Sequence, residues 1–142
     1  MATKKEITNY ANALALKTAL SSKGLLKPLD VNMAVFDGNN SDLHLLVSDM
    51  SDGTYRTVNN TSGVVSFDFV DKIDPALVRC FTVRELEICI GELPGVSFSN
   101  YTENAGVYTW TIIRNGITYT GVHTGNLANA CAKAFKAVVD AM

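Results

Sequence analysis

The dipeptide Asn115-Gly116 is the tightest constraint on how this chain folds. It stands between two alternating runs, Val107 to Ile113 and Ile117 to Val122. Both central residues of a two-residue type I′ turn need positive φ, which Asn and Gly tolerate, so the runs predict a β-hairpin. A two-residue turn also sets the register. Arg114 faces Ile117, Ile112 faces Tyr119, and Trp110 faces Gly121. One face then carries Tyr108, Trp110, Ile112, Ile117 and Tyr119, and the other carries Thr109, Thr111, Thr118 and Thr120. The aromatic face is expected to be core and the threonine face exposed. Gly121 is expected to leave room for the Trp110 indole.

From Asn126 the period changes from two to 3.6. Leu127, Cys131, Ala134, Phe135 and Val138 fall on one helical stripe, which should pack on the aromatic face of the hairpin. The ending Trp110-Thr111-Ile112 … Tyr119-Thr120 … Leu127-Ala128-x-Ala130-Cys131-x-Lys133-Ala134-Phe135 is similar to the C-terminal half of small phage "ABA sandwich" proteins. Those end in a hairpin followed by an Ala-rich helix with an L-A-x-C-like start. The resemblance covers residues 107–141. It implies a phage setting and an α+β layer, and it carries no catalytic residues to transfer.

The N-terminal part predicts a helix over residues 3–23. Thr3 and Glu6 form a capping box, and Gly24 supplies the C-cap. This helix is apolar on two sides: Ile7, Ala11 and Leu14 on one, Ala13, Leu16 and Leu20 on the other. It therefore needs two partners, being either sandwiched within the domain or pressed against another subunit, and the second is favoured. The Ala13, Leu16 and Leu20 face is assigned to an oligomer contact, with the helix as an arm.

A strand-rich meander follows. Its runs are Val31 to Phe36, Leu43 to Val47, Tyr55 to Val58, and Val65 to Phe69, separated by turns at Asp37 to Asp42 and Asp49 to Gly53. Alternation of Leu43, Leu45, Val47 and of Val65, Phe67, Phe69 predicts one buried face. Asp74 to Gly91 reads as helical, with Pro75 at its first position and a second capping box at Thr82 and Glu85. The expected fold is one α+β domain over residues 1–142. In it an antiparallel sheet has N-terminal, middle and C-terminal helices packed mainly on one face.

Composition narrows the function. The chain has 142 residues, of which 47% are apolar, as expected for one globular domain. No apolar run approaches the roughly 18 residues of a membrane span. The net charge is −2, and Lys4-Lys5 and Lys133/Lys136 are too sparse to track phosphates, which argues against nucleic acid. The strand–turn–strand–helix ending lacks the lysine cluster of a double-stranded RNA-binding domain. Charge is divided, with −7 over residues 30–92 and +5 over the rest. Three cysteines, none in a C-x-x-C pair, and no secretory h-region point to a reducing cytoplasm, the host's if the chain is phage-encoded.

Candidate sites are few. Asp37-x-Asn39-x-Ser41 resembles the start of a calcium loop, but its sixth and twelfth positions are Asp42 and Ser48 rather than Gly and Glu. No metal, cofactor or catalytic residue is assigned, and P-loop and G-x-S-x-G motifs are absent. The segment Gly121 to Asn126 feeds a helix N-terminus. With His123, Thr124, Gly125, Asn126 and nearby Arg114 it forms a candidate anion or nucleotide site. His44 or His123 with Cys80, Cys89 or Cys131 gives a candidate nucleophilic pair. The leading reading is a non-enzymatic, phage-type accessory protein that binds a protein partner and forms a homo-oligomer. Small anionic ligand binding and a Cys/His enzyme are the alternatives.

Overall fold

A computed structural model describes residues 6–37, 43–59 and 65–142. Among the described residues, three helices and eight strands run in the order α1 (Tyr10–Ser22), β1 (Ala34–Asp37), β2 (Leu43–Asp49), β3 (Thr54–Asn59), β4 (Ser66–Asp71), β5 (Leu77–Cys80), α2 (Val83–Gly91), β6 (Val96–Asn104), β7 (Val107–Arg114), β8 (Ile117–Thr124) and α3 (Leu127–Asp140). Every strand pair is antiparallel, and the class is α+β as expected. The single sheet drawn from the sequence is replaced by two, of five and three strands. The chain divides into two compact units, residues 27–80 and the flanking segments 1–26 with 81–142. No helix among the described residues is long and apolar enough to cross a membrane.

The flanking segments form a unit in which helices cover a three-stranded sheet ordered β6-β7-β8. Asn115 and Gly116 adopt φ of 52° and 79°, and the predicted pairs Arg114–Ile117, Ile112–Tyr119 and Trp110–Gly121 all form. Trp110 and Ile112 are fully buried, Tyr108 and Tyr119 partly so, and Ile117 at the hairpin tip is exposed. The reason for Gly121 differs from expectation. A Cβ there would lie 2.2 Å from the Ala130 carbonyl oxygen and 2.4 Å from the Ala134 nitrogen, so the glycine admits the α3 backbone and not the indole. Ala130 and Ala134, on the turn that faces Gly121, keep that helix surface low enough for the approach.

The first helix starts later than predicted. Asn9 is its N-cap, accepting from Asn12 N–H, while Thr3 of the expected capping box lies outside the described residues. Its end is as expected: Gly24 takes φ 68°, Gly24 N–H donates to Ser21 O, and Leu25 N–H donates to Leu20 O. The assignment of Ala13, Leu16 and Leu20 to an oligomer contact is corrected. Ala13 is fully buried, and Leu16 and Leu20 are buried in the chain's own core with Phe135, Val138 and Val139 of α3, leaving Ala11 and Leu14 as the exposed apolar side. Each fully buried Leu or Phe in this cluster contributes about 2 kcal/mol of transfer free energy.

Only the second half of the predicted 74–91 helix forms. Asp74 makes an Asx turn to Ala76 N–H, β5 follows, and the helix begins after the Thr82–Glu85 capping box, whose two bonds measure 3.0 and 3.2 Å. Residues 6–8 pair with 81–83, through Thr8 N–H to Phe81 O and Val83 N–H to Glu6 O.

The 27–80 unit is a sheet ordered β4-β3-β2-β1-β5. Its core is Val35, Leu46, Tyr55, Val70 and Leu77, with Leu29, Val31 and Met33 packed against it. Tyr55 Oη donates to Leu29 O at 2.8 Å, tying the incoming segment to the core. β1 is shorter than the predicted 31–36 run because Asn32 turns with φ 71°.

Candidate functional site

The Gly121 to Asn126 segment and the N-terminus of α3 are laced to the start of α1. Asn126 caps α3 by accepting from Asn129 N–H at 2.8 Å, and its own amide donates to Ile7 O at 3.0 Å. Asn129 is buried, and its Oδ1 accepts from Asn9 N–H at 3.0 Å. His123 Nδ1 donates to Thr124 O at 2.9 Å, which leaves Nε2 as an acceptor 3.5 Å from Asn129 Nδ2. Gly125 N–H donates to Gly106 O. The Gly125 and Asn129 N–H groups, which an anion there would call on, are thus engaged within the fold. Arg114 is at the other end of the hairpin, about 24 Å along the strand from the Thr124 end at roughly 3.4 Å per residue. Its Nε donates to Pro94 O at 2.9 Å. His123, Thr124, Gly125 and Asn126 are brought together; Arg114 is not brought to them.

Both candidate histidines are bonded to groups other than a cysteine. His44 is buried in β2, with Nδ1 3.1 Å from Thr57 Oγ1 and Nε2 3.4 Å from Asn59 Nδ2. His123 bonds as above, so neither imidazole hydrogen-bonds a cysteine among the described residues. Cys131 lies in the α3 core, where burial, then the nearby Glu87 carboxylate and Cys89, push its thiol far above the ordinary range. Such a thiol is a poor nucleophile. No group of three or more His, Cys, Asp or Glu among the described residues could hold a metal ion.

The outer face of the 27–80 sheet departs from the expected pattern. The Leu45, Phe67 and Phe69 phase was expected inside. Instead Tyr55, Val70 and Leu46 point into the core, and the opposite phase faces out. Leu45, Val58 and Phe67 form one cross-strand row, with Arg56 and Phe69 paired beside it. Phe67 is 61% exposed, Phe69 57% and Leu45 41%. The Arg56 guanidinium lies 4.7 Å from the Phe67 ring centroid, holding that ring against the sheet. The signal was present as apolar residues on both phases: Leu43 to Val47 reads Leu-His-Leu-Leu-Val. A strand apolar on both sides has no pattern to choose its core face.

This unit is acidic, with eight Asp and four bases for a net of −4, against +2 for the other unit. Asp52 accepts from Thr54 Oγ1 and N–H, which holds its carboxyl below the usual range. Lys72 pairs with Asp49 and lies 5.1 Å from the Tyr55 ring centroid.

Comparison with protein-family models, curated proteins and solved structures found no match. The fold and its surfaces therefore carry the functional reading.

Proposed function

We propose that this chain is a non-enzymatic binding protein that engages a protein partner through the outer face of β2, β3 and β4 and acts as a homo-oligomer. The observation that carries this is the row Leu45, Val58 and Phe67 with Phe69, an apolar patch standing in solvent on a sheet whose other face supplies the core. Exposed contiguous apolar surface of this kind marks interaction sites. The net −4 of the same unit suits a partner with apolar contacts inside a basic rim. Aromatic side chains and an Arg at the centre are the residue types that dominate binding energy at interfaces. The similarity of residues 107–141 to phage ABA-sandwich proteins supports an accessory role in a phage, acting in the host cytoplasm.

The test is affinity capture from host lysate with the wild-type chain beside Phe67→Ser/Phe69→Ser. Both rings are exposed, so the variant stays folded, as circular dichroism checks. A partner retained by wild type and lost by the variant is the expected result. Equal capture by both would refute the assignment of this face.

A further inference from the structure

The three-stranded sheet ends in two open edges, and they are built differently. In the β7–β8 hairpin the two-residue turn makes Arg114–Ile117 a hydrogen-bonded pair, so alternation sends the main-chain groups of Thr118, Thr120 and Val122 outward. One of these is covered: Lys133 of α3 reaches over the edge and donates to Val122 O at 3.1 Å. A lysine laid on an edge strand is a common way to prevent further pairing.

The β6 edge has no such guard among the described residues. The turn at Ala105 and Gly106 (φ 51° and 82°) pairs Asn104 with Val107, so Ser99, Tyr101 and Glu103 send their main-chain groups outward. Nine residues run here without Lys, Arg or Pro, and Glu103 is the one charge. Asn100 Oδ1 accepts from Tyr101 N–H at 2.8 Å, a contact that one side-chain rotation removes. Both faces of the strand carry half-exposed aromatics, Phe98 at 46% and Tyr101 at 43%, a pattern proper to an interior strand. Tyr101 is already ordered by stacking on Trp110 at 5.5 Å between centroids, and Ser99 Oγ accepts from the Trp110 indole at 2.9 Å.

We propose that β6 pairs antiparallel with β6 of a second copy of this chain, joining two three-stranded sheets into one of six strands about a two-fold axis. An antiparallel strand edge is complementary to itself, because Ser99 and Tyr101 offer donors and acceptors in the alternation that the copy requires. The sole charge, Glu103, lies near one end of the strand, so an antiparallel partner centred near Asn100 keeps the two carboxylates apart. The helices of both copies fall on the same side of the extended sheet. This interface gives the homo-oligomer of the reading above a location, and it does not depend on the β2–β4 face.

The experiment is sedimentation of the full chain across a dilution series, with amide hydrogen exchange read at each concentration. A dimer is expected, with Ser99, Tyr101 and Glu103 amides protected at high concentration and released on dilution. Asn100→Lys/Thr102→Lys alters two exposed positions and places like charges across the two-fold. It should weaken the dimer about tenfold or more while leaving circular dichroism unchanged. Should that variant misfold, the exchange pattern of the wild type decides alone. A monomer at about 100 µM overturns the proposal, as does concentration-dependent protection of Thr118, Thr120 and Val122 instead. Partner capture retained by the monomeric variant separates this interface from the β2–β4 face.

Discussion

Gly121 of β8 and Ala130 of α3 meet backbone to backbone: a Cβ on the strand residue would stand 2.2 Å from the helix carbonyl oxygen. The Ala134 nitrogen would be 2.4 Å away, so neither contact can be relieved by rotating a side chain. Gly121→Ala must push the helix off the sheet that it covers. A loss of about 3 kcal/mol is expected, at the upper end for overpacking. Urea denaturation should show the midpoint falling with the slope unchanged.

The asparagines at the helix starts form a second joint. Asn129→Ala removes the acceptor for Asn9 N–H and leaves that group without its partner in a part-buried site, at a cost of about 2 kcal/mol. Asn126→Ala removes the α3 cap and the bond to Ile7 O together, at a similar cost. Asn129→Asp keeps the acceptor and should lose less than Asn129→Ala, a ranking that thermal melts can read at neutral pH.

How much of this was legible in the sequence depended on how local the cause was. Asn115-Gly116 specified its hairpin and register because the turn accepts few residue types. The Thr82–Glu85 box was equally local. The long-range choices were not legible. Nothing in Leu16 and Leu20 states that α3 of the same chain covers them, since an apolar stripe is the same whether its partner is internal or external. Leu43 to Val47 is apolar on both phases, so its inward face was decided by Tyr55 and Val70 on neighbouring strands. β5 was hidden behind Asp74-Pro75, which starts helices and turns alike. For the candidate site, the grouping of His123 with Asn126 was readable from adjacency. The distance to Arg114 required the strand direction.

Cys131 should be chemically silent in the folded protein. Its thiol is raised by burial, so iodoacetamide at pH 8 should modify partly exposed Cys89 before Cys131. Mass spectrometry of native and urea-unfolded samples checks this. The same shift has a pH consequence. The folded thiol holds its proton above the pKa of the unfolded one, so its contribution is fully present below about pH 8.5 and is lost as pH rises beyond that. Cys131→Ala should lose less stability between pH 8 and 10 than wild type does.

Asp52 gives the opposite sign. Its carboxyl is depressed first by the Thr54 hydroxyl, so the contribution is present above its ordinary pKa and fades as pH falls through the lowered folded value. Thr54→Val should return Asp52 toward the ordinary range in a carboxyl NMR titration.

We propose above that the partner binds through the outer face of β2–β4. Hydrogen exchange on the captured complex tests it directly, with the free chain as reference. New protection is predicted over residues 43–49 and 65–71, with residues 121–126 unchanged. Protection confined to residues 121–126, with β2 and β4 exchanging as in the free chain, would contradict it and return the site to the loop before α3.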